Sequence, residues 1–160
     1  MKFILRLFTW KSTLMFSLIV LVLLNVFSFY GLFTNKFYFF KFDNYIFPIL
    51  TLVHFTFLYA MWFKIKEDEI ADPQMRNLEY ALYVIFLIYV YRLFNTVSIL
   101  FSYSNFESHV IPATFLPLGI LILFLYIMLL LLTLITFKHR KDKIGSYNFN
   151  KLDDGIDSWE

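Results

Sequence analysis

The sequence predicts an all-α integral membrane protein: four transmembrane helices, both termini on the cytoplasmic or matrix side, short outer loops and a polar C-terminal tail. Three observations carry that prediction. Four apolar blocks, at 12–33, 46–63, 80–103 and 113–137, are each close to the roughly 20 residues that cross a bilayer as a helix. Arg92 is the single charged residue within any of them. Lys and Arg also alternate between connections: three at the N-terminus (Lys2, Arg6, Lys11), three between 64 and 79 (Lys64, Lys66, Arg76) and five in the tail (Lys138, Arg140, Lys141, Lys143, Lys151), against two in 34–45 (Lys36, Lys41) and none in 104–112. Because basic residues stay on the cytoplasmic side, this pattern sets the orientation.

The first block follows a basic N-terminus, as a secretory signal would, but Asn25 to Gly31 offers no small-x-small cleavage site, so it reads as a retained helix. Its Ser17, Leu21, Asn25 and Ser28 share one helical face and should point into the bundle. After it, Phe37, Tyr38, Phe39, Phe40, Phe42 and Tyr45 form an aromatic segment suited to the headgroup zone. The second block has Pro48 in its first turn, where proline is tolerated. Asp72-Pro73 supplies a cap and a first helical residue, so the third helix should begin before its apolar block. Met75, Leu78 and Leu82 would then form one face of a juxtamembrane extension, either a docking surface or a solvated helix end, with Arg76 and Glu79 as an i,i+3 pair. In the third block Arg92 opposes insertion by about 2.5–3.5 kcal/mol at the helix centre. Thirteen Leu, Ile, Val and Phe residues oppose that cost. A three-span arrangement would also put the basic cluster at 138–143 outside, against the charge rule. The fourth block, apolar from Ile120 to Leu132, should face lipid or another subunit, with a modest kink at Pro117. The tail at 138–160 turns from basic to acidic, and its first part should meet anionic headgroups.

Composition narrows the chemistry. Of 160 residues, 60% are hydrophobic and 22% aromatic, and mean hydropathy is +0.67, outside the range of a soluble domain. Cysteine is absent, which excludes disulfides, thiolate nucleophiles, Cys-ligated zinc and iron–sulfur clusters. Four scattered glycines support neither a phosphate-cradling loop nor GxxxG packing. A net charge of +2 gives no basis for nucleic-acid binding. The richness in Phe (22) and Tyr (11) fits an A+T-rich gene. The expected location is a bacterial inner membrane, alternatively a mitochondrial inner membrane.

Candidate site residues are the polar groups at membrane depth: Asn25, His54, Arg92, Asn95 and Thr96. Block midpoints put Asn25, His54 and Arg92 within about one turn of the bilayer centre, so three helices could share one buried site. Intramembrane ionisable residues face the bundle interior and mark function, although polar side chains also serve as packing contacts. No Asp or Glu lies within the blocks to neutralise Arg92; Asp43, Glu79 and Glu107 are near the interfaces. Its partner would be backbone carbonyls and polar side chains, water, a lipid or anionic ligand, or a carboxylate of another chain. Carboxylate proton relays, bis-histidine haem, lysine Schiff bases and the HExxH, GxSxG and P-loop patterns are missing, and no metal or cofactor is expected. The favoured function is a non-catalytic accessory or assembly subunit of a larger membrane complex, with the bilayer and other membrane subunits as partners. The alternatives are a small transporter or pore-forming oligomer for an anionic or polar solute, and a quinone- or lipid-binding membrane enzyme.

Overall fold

The computed structural model describes residues 9–105 and 111–147. Lys2, Arg6, Glu107, His109 and the tail from 148 onward, with Lys151 and the acidic residues of its end, lie outside the described residues.

Helix α1 (Trp10–Ser28) starts where the Thr9 hydroxyl accepts the Ser12 N–H at 3.2 Å, satisfying a donor that the first turn leaves free. Its polar face points inward in part: Ser17 and Leu21 are fully buried, Asn25 and Ser28 half-buried. The helix stops at Ser28, short of the expected Phe33. Residues Tyr30–Gly31 (β1) instead pair antiparallel with Lys36–Phe37 (β2), so the described chain is not wholly helical. Asn35 takes a left-handed φ of 51°, a conformation Asn tolerates, and donates its N–H to the Gly31 carbonyl at 2.9 Å. A Cβ on Gly31 would lie 2.7 Å from the Tyr38 ring and 2.8 Å from Thr34 Oγ1, so a larger residue there would force those side chains to shift. Around the hairpin the expected aromatic layer assembles. Phe37 stacks on Phe39 at 5.9 Å and Phe29 meets Tyr45 edge-on at 5.0 Å, while Phe40 and Phe42 are almost fully exposed.

A 3₁₀ turn (Phe42–Tyr45) leads into α2 (Ile46–Glu67). That helix ends on Asp68 in the left-handed region, φ 55°. Lys64 ties the following turn together, with Nζ 2.9 Å from Asp72 Oδ2 and 3.2 Å from both Glu69 Oε2 and the Ile70 carbonyl. Helix α3 (Pro73–Phe101) begins as predicted: Asp72 Oδ1 accepts the Met75 N–H at 2.7 Å and Pro73 is the first helical residue. Met75 and Leu82 are buried core residues, which corrects the expectation of a docking surface or solvated end. Helix α4 (Phe115–Lys143) has Pro117 as its third residue, in the first turn, where its missing N–H has no intrahelical bond to lose.

The helices form a ring in which α1 packs on α2 and α4, and α3 packs on α2 and α4. α1 and α3 are therefore diagonal. All four are long and apolar enough to cross a membrane. In its most apolar stretch α4 is 39% buried within the fold and α3 only 17%. α4, expected to face lipid or another subunit, keeps an exposed apolar face at Ile120, Phe124, Ile127, Leu131 and Leu134, but it is the best-covered helix and α3 the most peripheral. A helix apolar on every side can bury any of them. α4 buries Leu125, Leu129 and Leu132 together with Thr133 and Thr136, whose hydroxyls return to the Leu129 and Leu132 carbonyls at 2.7 and 2.8 Å.

Candidate functional site

Three polar assemblies divide the bundle by height. At mid-height His54 Nδ1 meets the Tyr89 hydroxyl at 3.3 Å, with the rings stacked at 5.9 Å. Both side chains are fully buried, and His54 Nε2 has no hydrogen-bond partner among the described residues. Phe47 packs on Tyr89 at 5.6 Å and on Tyr126 at 6.0 Å, and also forms part of the wall of a cavity toward the hairpin end.

That cavity, of about 180 Å³, is partly open and lined by residues of all four helices and the hairpin segment. Its polar lining is Ser28, Tyr30, Asn44, Arg92, Asn95, Thr96 and Tyr126. Several of these groups are already occupied. The Thr96 hydroxyl donates to the Arg92 carbonyl at 2.9 Å, Ser28 to the Asn25 carbonyl at 2.7 Å, Asn44 Nδ2 to the Tyr38 carbonyl at 2.8 Å, and the Tyr30 hydroxyl to Asn35 Oδ1 at 2.5 Å. The Arg92 guanidinium, the Asn95 amide and the Tyr126 hydroxyl make no hydrogen bond among the described residues, and Arg92 has no ion pair there. No carboxylate lines the space.

Arg92, Asn95 and Thr96 are therefore brought together, whereas His54 and Asn25 are not part of their cavity. His54 is held by Tyr89. Asn25 donates to the Leu21 carbonyl at 2.9 Å and lines a separate hollow with Val26, Phe29, Phe37 and Phe39. Depth alone fixes height along the bundle; direction around each helix depends on packing, and Asn25 lies on a different hollow from Arg92. Ser28, Tyr30, Asn44 and Tyr126 line the cavity without being among the sequence candidates, and Tyr126 is the one of them whose hydroxyl is unoccupied among the described residues. It is fully apolar in its surroundings along the chain, and only its position one helical turn from Ile122 on the inward face of α4 marks it.

The third assembly lies at the opposite, terminal end. Glu79, 1% exposed, accepts Arg140 Nη2 at 2.6 Å and the Tyr83 hydroxyl at 2.7 Å on Oε1, and the Tyr147 hydroxyl on Oε2. Arg140 also donates to the Gly145 carbonyl at 3.0 Å and sits 4.5 Å over the Tyr147 ring. This corrects the expected Arg76–Glu79 pair and takes Arg140 out of the headgroup-facing cluster. Burial, reinforced by the Glu79 carboxylate that its hydroxyl bonds, pushes the Tyr147 phenol up. The cluster is a clamp: the carboxylate is fully engaged and holds the segment after α4 against α3. Among the described residues no three His, Asp or Glu side chains gather as a metal centre would require.

These features define a multi-pass, four-helix membrane protein with a cationic internal cavity. No protein family, curated protein or solved structure matches the chain.

Proposed function

We propose that the chain is a non-catalytic accessory or assembly subunit of a larger complex in a bacterial inner membrane, or alternatively a mitochondrial one. In this reading the hairpin lies outside and the basic end of α4 inside, as the distribution of Lys and Arg favours. The carrying observation is the outward face of α3. Tyr80, Val84, Leu87, Tyr91, Asn95 and Ser98 follow one another at spacings of three and four and are all exposed. Its upper half therefore presents a phenol, an amide and a hydroxyl side by side at membrane depth. In hydrocarbon such groups lack partners at a cost of several kcal/mol for each unsatisfied one. A neighbouring helix removes that cost by supplying hydrogen bonds and close packing.

The test is isolation of the tagged chain from native membranes in mild detergent, beside a Tyr91→Leu/Ser98→Leu variant that keeps the face apolar. A membrane protein should accompany the wild type at near-equal amounts and be lost from the variant, which still inserts. Recovery of the chain alone, or undiminished recovery of the partner with the variant, would overturn the proposal.

A further inference from the structure

We infer that the cavity around Arg92 is a binding site for a phosphate-class oxyanion, entered from the hairpin end of the bundle. The inference shares Asn95, an exposed residue that also lines the cavity, with the subunit reading, but rests first on Arg92 and Tyr126, which are not part of the outward face of α3.

The donor inventory points to the ligand. Once the bonds within the fold are assigned, the groups left facing the cavity are the Arg92 guanidinium, the Asn95 amide and the Tyr126 hydroxyl. All three carry donors, one carries a full positive charge, and the lining contains no carboxylate to balance it. A guanidinium presents a planar fork of N–H groups that matches the oxygens of a phosphate. The volume of about 180 Å³ is well above what a single water needs, enough for an oxyanion headgroup and too small for a whole lipid. Direction of entry follows from the lining. The cavity runs from Arg92 past Ile99, about 10 Å along α3 at 1.5 Å per residue. It reaches Tyr30 and Asn44 in the aromatic layer suited to the membrane interface. At that level the phosphate could belong to a phospholipid headgroup or be free in solution.

The experiment uses the full chain in a phosphate-free alkyl-glucoside micelle, with thermal unfolding as the readout. Inorganic phosphate is titrated in one arm, dihexanoyl-phosphatidylglycerol in a second and uncharged dihexanoylglycerol in a third. Saturable stabilisation by either phosphate probe and none by dihexanoylglycerol is expected. A response to both probes marks the free anion as sufficient, and a response to the lipid alone marks the headgroup as the source. Arg92→Leu should weaken binding about ten- to a hundredfold, as loss of hydrogen bonds to a charged group does. Arg92→Lys should restore part of it, and Asn95→Ala should weaken it less. Absence of a saturable phosphate response in folded wild type, or an equal response in Arg92→Leu, overturns the assignment. So does an Arg92-dependent protein partner without any phosphate response, which would give the cavity to a partner's carboxylate.

Discussion

Replacing Arg140 with Ala leaves the Glu79 carboxylate buried beside two phenols without its one cationic partner among the described residues. Glu79 is 1% exposed and the Arg140 side chain 9%, so solvent screens little of their interaction across 2.6 Å. Breaking a buried pair from one side costs about 3–5 kcal/mol because the remaining charge is uncompensated. The Tyr83 and Tyr147 hydroxyls still donate to the carboxylate, which places the expected loss near the lower bound, about 3 kcal/mol. Glu79→Gln/Arg140→Met removes both charges while keeping similar volumes, and should lie within about 1–2 kcal/mol of wild type, since apolar replacement of a whole buried pair is often close to neutral. The single variants should therefore be strongly non-additive. The assay is reversible unfolding in mixed micelles with rising dodecyl sulfate, followed by tryptophan fluorescence at pH 7 for the two single variants and the double. A cost below about 1 kcal/mol for Arg140→Ala, the range of an exposed pair, or simple additivity of the singles, would refute the clamp.

Two further outcomes follow from the same bonds. Burial pushes the Asp72 carboxyl up, but the Met75 N–H and Lys64 outweigh it and hold it below its ordinary value. A lowered folded pKa contributes stability that is fully present above the unfolded value near pH 4 and is lost as pH falls through the folded one. The difference in unfolding midpoint between wild type and Asp72→Asn should thus be constant above about pH 5 and shrink in more acid buffer; a difference unchanged down to pH 3 would contradict the cap and latch. At mid-height, Tyr89→Phe strands His54 Nδ1 and should cost about 1–3 kcal/mol, whereas His54→Leu/Tyr89→Phe, which leaves neither group in search of a partner, should cost less than either single change. Additive costs, with the double change costing the sum of the two singles in the same unfolding assay, would show that the hydrogen bond contributes nothing.

Hydropathy and charge order alone determined the four spans, the start of α3 at Asp72-Pro73 and the isolation of Arg92 from any carboxylate in the apolar blocks, because these depend on local composition and on the roughly 20-residue length a bilayer imposes. The end of α1 was hidden for the same reason. Phe29 to Phe33 are as apolar as the helix before them, and only the pairing of Tyr30–Gly31 with Lys36–Phe37 shows that the chain has turned. Tertiary structure decided everything that depends on direction around a helix. It set Asn25 in one hollow, His54 on Tyr89 and Arg92 beside Tyr126, although depth along the sequence had grouped the first three. It joined Glu79 to Arg140 across 61 residues of chain, where no periodicity links them. It also gave the most apolar helix the most cover and left α3 most exposed. In a bilayer, lipid and protein interior are both apolar, so hydrophobicity tells which segments cross but not which faces meet. Helix-to-helix packing and the pairing of polar groups make that choice.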